Sequence, residues 1–571
     1  EKKPVTLYQF ASAQLSFKSS SYRLTHFAGD WAGECNVSEV ELTEGIKVID
    51  SKLGTRATFF AHPMCLLSLN GRMTEDNGEV IGMALAWPAN FKLEFEKNNN
   101  QELRVLAGMN PYASHYKLKK GDVFQTPSFL YTYSTKGNGQ VSRNFHRWAR
   151  KYGLRHGKNS RYTLMNNWEA TYFNFNEPKL KSIIEDAAGM GFELFLLDDG
   201  WFGKRDDSTS SLGDWYPNEE KLKGTLKELA EKINAKGLKF GLWIEPEMTN
   251  KDSDLYRAHP DWLLAEQGKR ICHSRNQYVL DFSKKEVREY IGDMLENLLA
   301  EVPVSYIKWD MNRTFSEVFS NGNDREYQGK VCHKYILGVY ELYERLTSRF
   351  PHVLFESCAS GGARFDPGML YYAPQGWTSD DTDAIERLKI QYGTSMVYPV
   401  SCMGSHVSAS PNHQTNRVTP IETRADVAYF GTFGYELDLL KLGEEDKAEI
   451  RRQIAFMKEK RDLIQKGTFY RLKSPFEGNE TAWMIVSEDQ KKALVGYYRV
   501  MQPVNVGFKR LKLKGLKEDT CYKVSGYAYD CYGDELMQVG MILSDSASGV
   551  WKKGVNDKGD FQAKVFEIVA V

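Results

Sequence analysis

The spacing of hydrophobic positions divides the chain into stretches with different periods. Up to residue 137, short apolar runs such as 83–87 (MALAW) and 129–133 (FLYTY) alternate with polar turns that contain glycine. The same pattern returns after residue 468, for example at 482–486 (AWMIV). Short apolar runs between turns are typical of antiparallel strands. We therefore predict antiparallel β regions at residues 1–137 and 469–571, with a connecting helical segment at 138–160.

Between these regions, residues 161–468 repeat a strand, a loop and a helix. Eight apolar runs are candidate strands: 162–165, 193–197, 240–244, 278–280, 305–310, 353–358, 376–380 and 400–402. Alternating β and α units argue for a parallel sheet. Eight such units over about 300 residues suit a closed barrel. The sequence therefore predicts the α/β class, with a central (β/α)8 TIM barrel at residues 161–468.

Two helix starts carry recognisable capping residues. Asn176 precedes Pro178, and Gly189 and Gly191 follow the apolar positions of the same segment, which predicts a helix that starts after Asn176 and ends at these glycines. Ser283 and Glu286 have the spacing of a capping box, which predicts a second helix start.

Composition and charge exclude several classes of protein. The 571 residues carry 75 Lys and Arg against 75 Asp and Glu, so the net charge of zero gives no case for nucleic acid or an anionic membrane. No apolar run reaches the roughly 18 residues that predict a transmembrane helix. The first residues also lack the apolar core of a signal peptide.

The eight cysteines are scattered along the chain, and none forms a CxxC pair. A zinc site or a thioredoxin-type motif is therefore not predicted. Scattered thiols in a chain of this length fit a reducing compartment better than a disulfide framework. We predict a cytoplasmic protein with no cofactor and no metal.

Acidic residues cluster at the ends of the predicted barrel strands, where TIM barrels place their reactive groups. They are Asp198, Asp199, Glu245, Glu247, Asp281, Asp310, Glu356, Asp380, Asp381 and Asp383. Cleavage of a glycosidic bond needs two carboxyl groups, one to donate a proton and one to meet the developing positive charge. The spacing alone leaves open which pair would act.

Several motifs in the barrel region resemble those of the α-galactosidases in family 36 of the glycoside hydrolases. They are 166–171 (NNWEAT), 197–202 (LDDGWF), 243–248 (WIEPEM), 275–277 (RNQ), 308–313 (KWDMNR), 356–362 (ESCASGG), 377–383 (WTSDDTD), 405–407 (SHV) and 416–417 (NR). The resemblance implies a barrel flanked by an N-terminal β-sandwich and a C-terminal antiparallel β domain. We expect this chain to enter the sandwich midway, at the segment that begins with Tyr22, and so to hold only a portion of it.

The resemblance also implies the catalytic pair. Asp310 corresponds to the nucleophile that forms a covalent galactosyl-enzyme, and Asp380 to the general acid/base. Two displacements give retention of the α configuration, which requires carboxyls about 5–5.5 Å apart. We expect the neighbouring Asp381 and Asp383 to cap the helix that starts near Ala384.

The sugar contacts are likewise implied by the resemblance. Asp198 and Asp199 would accept hydrogen bonds from the 4- and 6-hydroxyls. The other contacts are Trp243 and Trp377 as apolar walls, Arg275, Lys308 and Asn312 as polar groups, and Cys358 with Gly361 beside the 2-hydroxyl. A small thiol and a glycine leave little room for an acetamide, which favours galactose over N-acetylgalactosamine.

The function that follows is a retaining exo-α-galactosidase acting on terminal α-galactose of oligosaccharides or glycans. The alternatives are an α-N-acetylgalactosaminidase or galactosaminidase, a transglycosylating relative, and a non-catalytic glycan-binding protein. Retention of both Asp310 and Asp380 counts against the last, since binding alone needs neither. Expected partners are a galactoside substrate and, by family resemblance, further copies of the chain.

Overall fold

The computed structural model describes residues 3–544 and 559–571. Antiparallel sheets come first along the chain, a closed parallel barrel follows, and antiparallel sheets return at the end. The predicted α/β class with a central (β/α)8 barrel is confirmed.

The N-terminal sheets pack as layers beside the barrel. Their strands are β1 (Val5–Leu7), β2 (Ala13–Lys18), β3 (Tyr22–Ala28), β4 (Asn36–Glu41), β5 (Gly45–Asp50), β6 (Ala61–Leu69), β7 (Glu79–Ala86), β8 (Phe91–Lys97), β9 (Glu102–Met109), β10 (Tyr116–Leu118) and β11 (Ser128–Ser134). A five-stranded sheet has the order β11-β7-β6-β3-β4, a four-stranded sheet has the order β2-β9-β8-β5, and β1 pairs with β10. Helix α1 (Gly137–Trp148) lies on the five-stranded sheet, where a side chain at Gly82 would overlap Val141 and Phe145.

The barrel occupies the middle of the chain. Its strands are β12 (Leu164–Asn166), β13 (Leu194–Leu197), β14 (Lys239–Ile244), β17 (Tyr306–Trp309), β18 (Leu354–Ser357), β19 (Gln375–Trp377), β20 (Met403–Ser408) and β21 (Thr432–Glu436). Two further strands, β15 (Met248–Asn250) and β16 (Gln277–Val279), form a separate antiparallel pair. The helices are α2 (Trp168–Thr171), α3 (Glu177–Met190), α4 (Glu219–Leu222), α5 (Leu226–Ala235), α6 (Asp254–Ala258), α7 (Lys285–Glu301), α8 (Arg325–Gln328), α9 (Val331–Arg349), α10 (Pro367–Tyr372), α11 (Ala384–Thr394), α12 (Ile421–Ala428) and α13 (Glu444–Lys466).

Two of the eight predicted barrel strands were wrong. The run at 278–280 overlaps β16, which pairs antiparallel with β15 outside the barrel. The run at 400–402 is a turn of 3-10 helix that precedes β20. The strand that closes the barrel is instead β21, which contains Gly434; a side chain there would overlap the ring of His406. A glycine inside a five-residue strand weakens the sequence signal for that strand.

The two predicted helix caps had different outcomes. Asn176 accepts a hydrogen bond from the backbone N of Lys179, and Gly191 ends α3 with φ of 89°, as predicted. The capping box at Ser283 was wrong, because the Ser283 hydroxyl donates to Asp281 Oδ1 at 2.5 Å and α7 begins after Lys284 without a side-chain cap. The Ser283 hydroxyl is therefore bound to the Asp281 carboxylate and does not cap α7.

The C-terminal sheets have a hydrophobic core of their own. Their strands are β22 (Thr468–Lys473), β23 (Glu480–Val486), β24 (Lys492–Arg499), β25 (Lys509–Leu511), β26 (Cys521–Val524), β27 (Cys531–Tyr532), β28 (Met541–Ser544) and β29 (Gln562–Ala570). Six of them form a sheet of order β22-β23-β24-β29-β26-β27. Across residues 3–544 and 559–571, no helix combines the length and apolar character needed to cross a membrane.

One buried ion pair holds the loop after β14 against the barrel. Glu247 and Arg364 have fully buried side chains, and Arg364 Nη1 lies 2.7 Å from Glu247 Oε1. Trp309 Nε1 donates to the same oxygen at 2.9 Å, and the Tyr335 hydroxyl donates to Glu247 Oε2 at 2.8 Å. Glu247, one of the strand-end acids, is therefore a structural acceptor that fixes the residue before Asp310.

We expect Glu247→Ala to lower the free energy of unfolding by about 3–5 kcal/mol, because it leaves the buried Arg364 charge unpaired. Thermal unfolding followed by fluorescence measures the loss. The matched control is Glu289→Ala, which removes an exposed pair with Lys285 and should cost at most about 0.5 kcal/mol. Equal midpoints for the two variants would contradict this role of Glu247.

Candidate active site

A cavity of about 650 Å³ opens at the carboxyl ends of the barrel strands. Ten of the eleven predicted site residues line it: Asp198, Asp199, Trp243, Arg275, Lys308, Asp310, Asn312, Cys358, Trp377 and Asp380. The exception is Gly361, whose neighbour Ser360 lines the cavity in its place. The structure thus brings together side chains from loops spread over about two hundred residues of sequence, as expected for a TIM-barrel site.

Asp310 follows β17 and is surrounded by hydrogen-bond donors. Asn312 Nδ2 donates to its Oδ2 at 2.7 Å, Trp243 Nε1 to the same oxygen at 3.2 Å, and the backbone N of Met311 to its Oδ1 at 2.8 Å. Burial opposes ionisation, but the Lys308 charge, the hydrogen bonds from Asn312 and Cys358 and the Arg275 charge outweigh it and hold the pKa of Asp310 below its usual value. Asp310 is therefore a carboxylate near neutral pH.

Asp380 follows β19 and has a different environment. Its carboxylate accepts only two indole donors in the described structure, Trp31 Nε1 at 2.9 Å and Trp377 Nε1 at 3.1 Å. Burial raises the pKa of Asp380, and the nearby charge of Asp310 raises it further. Two carboxyl groups whose environments move their pKa values in opposite directions suit one acid and one nucleophile.

Asp198 and Lys308 form a buried pair at the floor of the cavity. Lys308 Nζ lies 2.9 Å from Asp198 Oδ2, and Asn166 Nδ2 donates to the same oxygen at 2.8 Å. Burial opposes the charge on Lys308, yet the carboxylates around it, Asp198 first among them, raise the pKa of Lys308 well above its usual value. The Lys308 ammonium therefore stays charged and attracts the acidic side chains around it.

Asp199 is held in a fixed orientation by an arginine that the sequence analysis did not single out. Arg205 Nε and Nη2 donate to the two oxygens of Asp199, each at 2.9 Å. Such a two-point contact fixes the plane of a carboxylate. The remaining lone pairs of Asp199 face the cavity and can accept hydrogen bonds from a ligand hydroxyl.

Arg275 connects to Asp310 through a chain of polar groups. Its Nη1 donates to Ser360 Oγ at 3.0 Å, and that hydroxyl donates to Asn312 Oδ1 at 2.6 Å. Asn312 in turn donates to Asp310. Arg275 and Ser360 both have positive φ, 55° and 49°, an unfavourable backbone conformation that is often found at functional sites.

Cys358 lines one wall of the cavity, whereas Gly361 lies outside the lining and packs against the backbone of Asp380. The Cys358 thiol is buried beside Asp310, and burial raises the pKa of that thiol well above its usual value, so it remains neutral. Gly361 has φ of +82°, and a Cβ there would lie 2.5 Å from Glu34 Oε1 and 2.6 Å from the backbone N of Asp380. Gly361 therefore packs directly against the backbone of Asp380.

The other strand-end acids are engaged in the protein interior. Glu245 accepts from Asn312 N at 2.5 Å and Gln277 Nε2 at 3.0 Å, and Glu356 accepts from Gln375 Nε2 at 2.8 Å. Asp383 caps α11 by accepting from the backbone N of Ile385, which confirms its expected capping role. Asp381 accepts from the backbone N of Asp383, ahead of the helix, so the capping role expected for Asp381 was wrong. In residues 3–544 and 559–571, no group of three or more His, Cys, Asp or Glu is arranged to hold a metal ion.

Sequence reasoning missed several residues that line the cavity. Three come from the N-terminal region: Trp31, Arg56 and Phe59. No local pattern marks them, because they reach the barrel through tertiary packing. Others are Trp168, Glu169, Phe173, Arg205, Ser208, His413, Gln414 and Glu436. The acid Glu436 ends β21, so correct assignment of the eighth strand would have predicted it.

A larger cleft of about 1060 Å³ lies between the N-terminal region, α11 and the C-terminal strands. Its charged side chains pair with each other: Lys514 Nζ lies 2.7 Å from Asp76 Oδ2, and Lys473 and Lys509 both contact Glu480. Because these charges neutralise one another, we assign the chemistry to the smaller cavity at the barrel.

Three family descriptions match consecutive parts of the chain. "Glycosyl hydrolase family 36 N-terminal domain" matches residues 1–119, "Melibiase" matches residues 123–467, and "Glycosyl hydrolase family 36 C-terminal domain" matches residues 480–568.

Individual relatives are similar over almost the whole chain. Alpha-galactosidase AgaA of Geobacillus stearothermophilus is 46% identical over 552 residues, which are 96% of this chain and 75% of that protein. Alpha-galactosidase Mel36A of Lactobacillus acidophilus is 42% identical over 569 residues, 99% of this chain and 76% of that protein. The crystal structure of AgaA has a TM-score of 0.96 at 44% identity and covers 100% of this chain and 78% of that chain. A variant of AgaA has been solved in complex with raffinose.

The contacts of Gly361 predict that Gly361→Ala disturbs the site. The positive φ and the overlap with Glu34 and the Asp380 backbone should cost about 2–4 kcal/mol in the free energy of unfolding. The control is Gly189→Ala, inside α3, where a Cβ meets no atom within 4 Å and alanine should stabilise the helix by up to about 1 kcal/mol. Thermal midpoints compare the two, and a Gly361→Ala midpoint at or above that of the unmutated protein would refute the packing argument.

Proposed function

This chain belongs to glycosyl hydrolase family 36, and we propose that it acts as a retaining exo-α-galactosidase that releases terminal non-reducing α-D-galactose from oligosaccharides or glycans. The observation that carries the proposal is the pair Asp310 and Asp380 on one cavity, with pKa values moved in opposite directions. A nucleophile must be ionised and a general acid must be protonated at the same pH.

In the first step, the Asp310 carboxylate attacks C1 of the galactose. The bond from C1 to the glycosidic oxygen breaks as the bond from C1 to Asp310 forms, and Asp380 transfers its proton to the departing oxygen. Trp243 and Asn312 donate to Asp310 Oδ2, and Met311 N donates to Oδ1. These contacts hold the carboxylate in position for attack, which lowers the entropic cost of the step.

In the second step, the roles of Asp380 reverse. Its carboxylate takes a proton from a water molecule, whose oxygen attacks C1 and displaces Asp310. Each step inverts the anomeric centre, so the product retains the α configuration. Interception of the same intermediate by a sugar hydroxyl would give transglycosylation.

We assign substrate recognition to the floor and walls of the cavity. Asp198 and Asp199, each oriented by a buried cation, are placed to accept hydrogen bonds from the 4- and 6-hydroxyls. An epimer with the wrong 4-hydroxyl would leave a buried carboxylate lone pair unpaired, which is costly. Cys358 and the glycine turn behind it leave little room for an acetamide at C2, which supports galactose over N-acetylgalactosamine.

We also propose a cytoplasmic, homo-oligomeric protein, with domains at residues 1–137, 161–468 and 469–571 joined by a segment at 138–160. All eight cysteines lie in the described ranges as free thiols, which fits a reducing compartment.

The proposed homo-oligomer is supported by exposed aromatic residues. Tyr131 and Tyr133 on the edge strand β11 are 63% and 51% exposed, and exposed aromatic residues of this kind are enriched at protein interfaces.

The first test of the proposal is hydrolysis of p-nitrophenyl α-galactoside. We expect turnover of this substrate but not of the α-N-acetylgalactosaminide, and Asp310→Asn should reduce kcat/KM on the order of 10³-fold or more because it removes the nucleophile. Proton NMR of the first product should show α-galactose. A folded protein that hydrolyses neither substrate, or that releases β-galactose first, would refute the proposal.

The pKa shifts predict a bell-shaped pH profile of kcat/KM for raffinose, whose leaving sugar needs the proton of Asp380. Activity should fall at low pH as Asp310 takes up a proton and at high pH as Asp380 loses one. The Trp31 indole lowers the pKa of Asp380, so Trp31→Phe should raise that pKa and move the alkaline limb to higher pH. Trp148→Phe, remote from the cavity, is the control. An alkaline limb that stays in place or moves to lower pH in Trp31→Phe would contradict this role.

A further inference from the structure

The loop from β19 to α11 carries Asp380, and its residue Thr382 is bound to two neighbouring barrel loops. We propose that Glu169 and Thr382 form a tie that positions Asp380 for proton transfer to the leaving group. Both are positioning residues rather than catalytic residues, because they act through Asp380. The inference rests on the proposed function and adds to it the groups that hold the acid in place.

The tie itself is a direct hydrogen bond. Thr382 Oγ1 donates to Glu169 Oε1 at 2.9 Å. The Thr382 side chain is buried, and the Glu169 side chain is 7% exposed. Glu169 lies in α2, just after the first barrel strand, so the bond connects the loop of that strand to the loop of the sixth strand, two residues beyond Asp380.

A third loop also contacts Thr382 and Glu169. Ser408, the last residue of β20, donates from its Oγ to the backbone O of Thr382 at 3.1 Å, and in the loop that follows Asn412 Nδ2 donates to Thr382 Oγ1 at 3.2 Å. From the same loop, His413 Nδ1 lies 3.4 Å from Glu169 Oε2. Three loops on one side of the cavity therefore meet at Thr382 and Glu169.

The hydrogen bond between Thr382 and Glu169 does not depend on the protonation state of the groups around it. Burial raises the pKa of Glu169 to about 7, with His413 lowering it and Glu436 on β21 raising it. His413 faces Glu169, Glu436 and Asp381, and these acids raise its pKa; Tyr172 on the chain after α2 remains neutral. A carboxyl oxygen can accept the Thr382 hydroxyl proton in either protonation state. The tie therefore persists through neutral pH.

Asp380 needs such support because its carboxyl has few contacts of its own. It accepts from two indoles, and one of these belongs to Trp31, which is 51% exposed. Its position therefore depends on the backbone of the loop. A misplacement of about 1 Å can cost about 10²-fold in rate. Since Asp383 independently caps α11, release of Thr382 should disturb the acid without unfolding the helix.

The experiment compares two leaving groups. Raffinose releases a sugar, which needs a proton from Asp380, whereas p-nitrophenolate leaves with little assistance. We expect Thr382→Val to lower kcat/KM for raffinose by about 10-fold or more and to leave that for p-nitrophenyl α-galactoside within about twofold. Thr382→Ser, which restores the hydroxyl, should recover most of the raffinose activity. Thr347→Val, a buried threonine of α9 that donates to Tyr343 O at 2.7 Å, is the matched control.

Variants of Glu169 test the other end of the tie. Glu169→Ala should reproduce the leaving-group dependence of Thr382→Val. Glu169→Gln keeps an oxygen acceptor for the Thr382 hydroxyl and should therefore keep the ratio of raffinose activity to p-nitrophenyl α-galactoside activity of the unmutated enzyme. Equal losses on both substrates, or no loss on raffinose in Thr382→Val and Glu169→Ala, would overturn the proposal. Failure of the proposed function is distinct, since the unmutated enzyme would then cleave neither galactoside.

Discussion

The active site depends on one buried positive charge, the ammonium of Lys308. Its side chain is 7% exposed, yet the pKa of Lys308 is raised because the carboxylates of Asp198, Glu436 and Glu356 surround it. A cavity lined by this many acids would otherwise favour their protonated forms. With Lys308 charged, Asp310 is held as a carboxylate although it is buried. Loss of this charge would therefore disturb substrate binding and nucleophile together.

The difference between the two catalytic carboxyls follows from their positions relative to that charge. Asp310 follows β17, two residues after Lys308, and accepts hydrogen bonds from the backbone N of Met311 and from Asn312 Nδ2. Asp380, which follows the sixth strand, accepts hydrogen bonds from two indoles, and the charge of Asp310 raises its pKa. One carboxyl is thus stabilised as an anion and the other is not. The acid and the nucleophile differ because of their surroundings, since both are aspartates.

Local patterns predicted six of the eight barrel strands, whereas most of the cavity residues came from the resemblance to family 36. Apolar runs mark strands, and polar residues that follow such runs mark the rim. The same rule failed where two runs looked alike: 278–280 is short and is followed by Asp281, and Thr432–Glu436 is short and ends in Glu436, yet only the second is in the barrel. It also could not separate Glu247, which binds Arg364 in the interior, from acids that face the cavity. Burial and pairing decide that distinction, and they are properties of the folded chain.

The N-terminal region is part of the active site rather than an appendage to it. Arg56 Nη1 donates to the backbone O of Asn312 at 3.3 Å, and Thr58 Oγ1 donates to the O of Gly362 at 2.7 Å. The buried Glu34 accepts from the backbone N of Gly362 at 3.3 Å, and Trp31 donates to Asp380. The loops that carry the nucleophile and the acid are therefore both braced from outside the barrel. A barrel separated from this region would keep every residue of the family motifs and still lose a donor to the acid and the backbone supports beside the nucleophile.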